Sequence, residues 1–163
     1  MKTAYALTIG SNVRHGRFGT PEKVLEAAFD ALDGKATKLL GRSGIVSSAP
    51  LGPSKRRYAN AAAIVETKLS PPELLKKLKK TERKFGRRAG GARWSARVLD
   101  LDIALWSGGF WASPELTVPH REFRHRPFVL DPLSKVASDW RDPLTGLSVR
   151  HLKARLDRKR PAA

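Results

Sequence analysis

The segment from Val98 to Trp106 constrains the fold most. Leu99, Leu101, Ile103 and Leu105 alternate with Asp100 and Asp102, which predicts a strand with one apolar face and two carboxylates on the other. The rise of a strand sets those carboxylates roughly 6.5–7 Å apart along one face. Like charges so placed repel, and strands disfavour Asp at both positions. A divalent cation removes the repulsion, since Mg²⁺ is held by one or two carboxylates together with substrate phosphates. A solvated polar strand face fits the same pattern.

The segments around this strand predict the rest of the architecture. Thr3 to Ile9 alternates as a strand that ends at Gly10-Ser11-Asn12, with Gly10 suited to a turn. Thr20-Pro21 is an N-cap with proline at the first helical position. The helix it starts carries Val24, Leu25, Ala28, Phe29 and Leu32 on one face and stops near Gly34. Leu39 to Ser48 is expected to contain a second strand, at Ser43 to Ser48, and a third is expected over Tyr58 to Thr67. Ser70-Pro71-Pro72-Glu73 is a capping box opening a helix with Leu74, Leu75, Leu78 and Phe85 buried, closed at Gly86. Beyond the central strand, Ser107-Gly108-Gly109 predicts a turn into an edge segment at Phe110-Trp111. A Pro- and His-rich stretch follows, then a short helix from Val149 to about Leu156 and a frayed tail. The order β-α-β-β-α-β fits an α/β (α+β) sandwich of ferredoxin-like type: an antiparallel sheet with helices packed on it, plus a short C-terminal extension. One domain over residues 1–163 is expected, with its core at 3–137.

Composition narrows the class. The 163 residues suffice for one real core, and the absence of cysteine excludes disulfides and thiolate metal sites. No apolar run is long enough to span a membrane and no signal sequence is evident, so a cytoplasmic protein without membrane attachment is expected. The net charge of +17 points to anionic partners without choosing among them.

Further residues suit a phosphate-handling site. Arg87, Arg88, Arg93 and Arg97 lie in a Gly- and Ala-rich loop between a helix and the Asp-bearing strand, where guanidiniums can fork onto phosphate oxygens. Closure of such a loop would exclude water. His120, Arg124, His125 and Arg126 form a second cationic cluster. Tyr58 and Asn60 share a strand face, an arrangement suited to stacking on a flat heterocycle and bonding its edge, although such pairs also serve in cores and turns. No Walker-type loop is present, because no Lys-Ser/Thr follows Gly86 to Gly91.

Read together, Gly10-Ser11-Asn12, Pro50-Leu51-Gly52-Pro53, Tyr58-x-Asn60-x-Ala62, Glu82…Gly86-Arg87, Arg93-Trp94-x-x-Arg97-x-x-Asp100-x-Asp102, Val118-Pro119-His120 and Arg126-x-Phe128-x-Leu130-x-Pro132-Leu133 resemble the 6-hydroxymethyl-7,8-dihydropterin pyrophosphokinase family. The resemblance implies a ferredoxin-like fold and transfer of pyrophosphate from ATP to the pterin hydroxymethyl group, with AMP released. It implies Asp100 and Asp102 as ligands of two Mg²⁺ ions, and Arg87 and Arg97 as stabilisers of charge on the transferring group. Arg93, Trp94, His120 and Arg126, with Glu82 nearby, would hold ATP. Tyr58 and Phe128 would sandwich the pterin, with Asn60 on its polar edge and backbone groups around Ser48 and Leu51 assisting. The expected partners are ATP and 6-hydroxymethyl-7,8-dihydropterin, with no nucleic acid, and a monomer.

Three positions depart from the family pattern. Ser95-Ala96 stands where Gly-Pro is common, Ala89 where an arginine is common, and Glu115 where a basic residue is common. Either Arg88 substitutes from one position before Ala89 or the loop has lost a contact. A slower or weaker-binding enzyme is the expected consequence at worst. The alternative of an RNA-binding module with the same topology needs an aromatic central strand of RNP1 type. This chain has two aspartates there instead.

Overall fold

A computed structural model describes residues 1–48, 58–86 and 98–159. The elements are β1 (Thr3–Ser11), α1 (Pro21–Leu32), β2 (Thr37–Arg42), β3 (Val46–Ser48), β4 (Tyr58–Thr67), α2 (Pro71–Lys84), β5 (Asp100–Trp106), β6 (Trp111–Ser113), β7 (Leu116–Val118), a 3-10 turn (Phe123–His125), α3 (Pro127–Val136) and α4 (Val149–Lys159). The main sheet runs β2-β4-β1-β5 with antiparallel neighbours, and β3 also pairs with β4. This is the expected ferredoxin-like arrangement. β1 and β4 are its central strands, whereas β5, the Asp-bearing strand expected at the centre, forms one edge.

One face of the sheet is packed by the two crossover helices. Tyr5, Leu7 and Ile9 of β1, Ala61, Ala63 and Val65 of β4, and Leu99, Leu101 and Ile103 meet Val24, Leu25, Phe29 and Leu32 of α1 and Leu74 and Leu78 of α2. Both helices start as their sequences dictate. Thr20 caps α1 through the Lys23 N–H, and Ser70 and Glu73 form the reciprocal capping box of α2. Gly86, at φ +95°, closes α2 in the left-handed region that a side chain resists. Leu75 lies at the margin of this core, only partly buried.

The opposite face carries a third layer beyond the expected sandwich. Leu130 and Leu133 of α3 and Val149 and Leu152 of α4 pack with Phe123 on Ala6, Ala62, Ile64, Ala104 and Leu105. The C-terminal segment is thus bound into a core, and α4 continues to Lys159 rather than fraying after Leu156.

Four other local expectations are corrected. Leu105 does not share the face of Leu99, Leu101 and Ile103. The pairing of β1 with β5 shifts register between Ala6 and Leu7, so Ala6 faces Leu105 while Leu7 faces Ile103. The extra residue, Ala104, is a bulge that sends Leu105 to the second core and Trp106 back to stack on Tyr5 at 6.0 Å. The strand expected over Ser43 to Ser48 is interrupted. Ser43 exchanges bonds with Ala62, its N–H donating to the carbonyl at 2.9 Å and its hydroxyl accepting the N–H at 2.8 Å. That side-chain bond replaces a ladder rung, so β2, which spans Thr37–Arg42, ends there and β3 resumes at Val46. The turn at Ser107-Gly108-Gly109 forms as expected, with the Gly109 N–H donating to the Trp106 carbonyl at 3.0 Å, but the edge hairpin is the pair β6 and β7 over Trp111 to Val118. Finally, β1 runs through Gly10 to Ser11, so Gly10 is not a turn residue.

Candidate active site

The period-two rule places Thr8 and Gly10 of β1, Tyr58 and Asn60 of β4, and Asp100 and Asp102 of β5 on the α3 side of the sheet. The register aligns them. Gly10 pairs with Asn60 on one side and Asp100 on the other, and Thr8 pairs with Ala62 and Asp102. A carboxylate, a bare backbone and an amide therefore form one row across three strands. A Cβ on Gly10 would stand 3.3 Å from Asn60 Oδ1, so glycine keeps the floor of this row low.

A cleft of ≈ 610 Å³ opens over the row, walled by Tyr58 on one side and by His120, Arg126 and Phe128 on another. It exists because the second core stops short. α3 covers Ile64 and Leu105, while its first turn and the preceding segment stand over the polar end of the strands. A second, wider hollow of ≈ 890 Å³ meets the first at Asp102 and His120 and is lined by Leu75, Lys79, Leu116 and Arg121. Glu115, one of the departures from the family pattern, lies on its rim.

Individual groups are tuned by these surroundings. Burial raises the pKa of the Tyr58 phenol and the Asp100 charge adds to it, against a hydrogen bond with the Asn12 side chain. Burial lowers the pKa of His120, assisted by Arg126 and opposed by Glu122 and Asp100. The His120 N–H donates to the Ala104 carbonyl at 3.1 Å, and its Nδ1 accepts the Glu122 N–H at 3.1 Å. The neutral ring then keeps its proton on Nε2, available to donate to an anion. The Arg126 guanidinium lies 5.7 Å from the Phe128 ring centre.

Of the residues singled out in the sequence, Tyr58, Asn60, Asp100, Asp102, His120, Arg126 and Phe128 line this cleft together. Glu82 does not. Only 2 % exposed, it accepts the Leu101 N–H at 2.7 Å through Oε2 and lies 3.5 Å from Lys79. It holds the outward edge of β5 between the two aspartates. Arg124 is likewise withdrawn from the expected cationic cluster, because it pairs with Asp142. Ser48 ends β3 opposite Tyr58. Leu51, Arg87, Arg93, Trp94 and Arg97 lie outside the described residues, as do Arg88, Ala89, Ser95 and Ala96. Sequence reasoning missed Thr8 and Phe123 as lining residues. The small residues Ala4, Ala6, Thr8 and Gly10, alternating with Tyr5, Leu7 and Ile9, were the available signal.

Two half-buried carboxylates on one strand face fit a hard divalent cation whose remaining ligands come from phosphates and water. Among the described residues no group of three or more acidic, His or Cys side chains forms a self-sufficient cage. No helix among them is long and apolar enough to cross a membrane.

Comparison with known proteins agrees with this geometry. The family model described as 7,8-dihydro-6-hydroxymethylpterin-pyrophosphokinase matches residues 6–138. A 2-amino-4-hydroxy-6-hydroxymethyldihydropteridine pyrophosphokinase of Haemophilus influenzae is 40% identical over 141 residues, 85% of this chain and 84% of that one. The protein of that name from Methylorubrum extorquens is 33% identical over 159 residues, 96% of this chain and 95% of that one. Among solved structures, Plasmodium falciparum HPPK-DHPS with pteroate matches at TM-score 0.72 and 13% identity, a likeness of fold. The match covers 95% of this chain but 42% of that larger one.

Proposed function

From the premise that this chain belongs to the 7,8-dihydro-6-hydroxymethylpterin-pyrophosphokinase family, we propose that its cleft transfers pyrophosphate from ATP to 6-hydroxymethyl-7,8-dihydropterin, a step of folate biosynthesis. The observation that carries the reading is the row Asp100-Gly10-Asn60, with Tyr58 and Phe128 beside it in one cleft. Tyr58 and Phe128 offer aromatic faces to a flat ring, and Asn60 offers both a donor and an acceptor to its edge. The wider hollow beyond Asp102 and His120 suits the nucleotide, with Leu75 and Leu116 as apolar contacts and Lys79 and Arg121 as cations.

In the reaction the hydroxymethyl oxygen bonds to the β-phosphorus of ATP. The bond from that phosphorus to the oxygen bridging it to the α-phosphorus breaks, and AMP leaves with the electron pair. The hydroxyl proton passes to water. Asp100 and Asp102 would hold two Mg²⁺ ions where the two hollows meet. When bound, such ions neutralise phosphate charge and lower the pKa of the attacking hydroxyl. His120, through Nε2–H, and Arg126 hold phosphate oxygens and so fix the approach. Arg87, Arg93, Trp94 and Arg97 complete the ATP site by resemblance, and Leu51 and Ser48 the pterin site. We further propose a single-domain, monomeric, cytoplasmic enzyme without nucleic-acid or membrane partners.

An RNA-binding role is not favoured. The sheet face such a module would offer to bases bears two aspartates and is covered in part by α3 and α4.

Purified protein mixed with Mg-ATP and the pterin, with a metal-free control, tests the reading. AMP is expected to appear in step with the pyrophosphorylated pterin, and in neither the metal-free control nor Asp100→Ala. ADP as product, or no turnover from folded protein, overturns it.

A further inference from the structure

The wall of the cleft between His120 and Arg126 is an arch, and its middle is held from outside the site. His120 is anchored to Ala104 at one end, and at the other Arg126 stands at the N-cap position of α3, its carbonyl accepting the Leu130 N–H at 3.0 Å. At the centre, Arg124 donates to Asp142 through Nε at 2.6 Å and Nη2 at 2.7 Å, a bidentate fork. Asp142 is 0% exposed. Its carboxylate also accepts the Leu144 N–H at 3.0 Å and the Thr145 hydroxyl at 2.8 Å. Its backbone closes the same turn, donating to the Leu147 carbonyl and accepting from the Gly146 N–H, both at 2.8 Å. Gly146, at φ +74°, permits that turn. The anchor is therefore a saturated, rigid point. α4 packs against both α3 and the 3-10 turn. The Arg124 guanidinium lies 4.7 Å from the ring centre of Phe123, which is itself buried in the second core and lines the cleft.

None of the described residues beyond 138 lines either hollow, and the family match ends at residue 138. We propose that the Arg124–Asp142 fork is a positioning device for the pterin and phosphate wall, and that the C-terminal segment from Asp139 to Lys159 acts through it. Arg124 and Asp142 touch no substrate. They fix where Phe123, His120 and Arg126 stand. The proposal rests on the pterin-binding reading above, so one of its tests is made without substrate.

Two variants separate positioning from mere stability. Asp142→Asn keeps the shape but breaks the charged fork. Arg124→Met with Asp142→Leu replaces a buried ion pair by apolar bulk, an exchange that often preserves stability. Thermal melting, pterin affinity by fluorescence titration at low temperature, steady-state kinetics and the side-chain NMR signals of His120 and Arg126 in ligand-free protein are compared. Both variants are expected to bind pterin about tenfold more weakly and to turn over about tenfold more slowly, since small misplacements weaken aligned contacts and the approach they fix. The double variant leaves the Leu144 N–H and Thr145 hydroxyl without their acceptor, so it is expected to melt lower than the wild type yet stay folded at the titration temperature, with the His120 and Arg126 signals shifted in both. A folded double variant with wild-type affinity and unshifted signals overturns the proposal. If Asp142→Asn fails to fold, the double variant decides alone. If the wild type binds no pterin, the functional reading falls, while the NMR shifts still decide the clamp.

Discussion

The two faces of the central sheet are built to opposite rules. Beneath α1 and α2 the strands present Tyr5, Leu7, Ile9, Val65, Leu99, Leu101 and Ile103, which interdigitate with the helical leucines and Phe29. On the reverse, the same strands present Ala4, Ala6, Thr8 and Gly10, then Tyr58, Asn60 and Ala62, then Asp100, Asp102 and Ala104. Large apolar residues fill the first face and hold the fold. Small and polar residues on the second leave volume, and α3 and α4 cover only its apolar end. One sheet thus gives a rigid support to the row of groups that face ligand. The cleft is the part of the second face that only the first turn of α3 and the segment before it overhang.

Breaking one group on the open face should abolish function and spare the fold. Asp102→Ala is expected to lower turnover by about a thousandfold or more, because charge stabilisation at such a site is worth several kcal/mol. Its melting temperature should stay near that of the wild type, checked by product assay and calorimetry together. The packed face predicts the reverse. Phe29→Ala, which empties a buried site beneath α1, should cost about 3–5 kcal/mol in urea unfolding while leaving KM unchanged in protein that remains folded.

The clamp behind the cleft gives the comparison a pH dependence. Burial alone would raise the Asp142 pKa, but hydrogen bonds from Arg124, Leu144 and Thr145 and the Arg124 charge outweigh it and hold the pKa below the ordinary aspartate range. A depressed folded-state pKa contributes stability that is complete above the unfolded pKa of about 3.9 and is lost as pH falls through the folded value. Acidification should therefore remove the stability this group contributes as pH falls below the unfolded value. Asp142→Asn should flatten the acid limb of stability against pH, and an unchanged limb would assign that stability elsewhere.

Two smaller effects sharpen the contrast. Gly10→Ala pushes a methyl against Asn60 Oδ1 and should weaken pterin binding about five- to tenfold, or about 1–1.4 kcal/mol, with little change in melting. Ser70→Ala removes the cap of α2 on the packed side and should cost about 1 kcal/mol in stability without altering pterin affinity.

Much of this was legible in the residues themselves. The α1 stripe, the capping box of α2, the limits of β4 and the shared face of Asp100 and Asp102 all follow from short-range periodicity and capping. Gly10 was misread, because glycine suits a turn and a close approach equally and only the neighbouring strands distinguish them. Leu105 was misplaced because alternation carries no sign of a bulge, here the extra residue Ala104 within β5 itself. Glu82 was expected near the nucleotide; only the fold shows that its buried carboxylate accepts the Leu101 N–H of the Asp-bearing strand. Arg124 looked like one more cation near phosphate until Asp142, eighteen positions later, was found to hold it.

The sequence by itself determined which residues make helices and strands, which stripe of each is apolar, and that two carboxylates, an aromatic and an amide share faces. Those properties depend on neighbours within a few positions, where backbone period and capping chemistry act. Tertiary structure alone decided that Asp100, Gly10 and Asn60 form one row, that α3 and α4 close half of one face, and that Asp142 anchors the wall of the cleft. Pairing register and helix docking join groups far apart in the chain. Their energies depend on burial and partnership that no local pattern encodes.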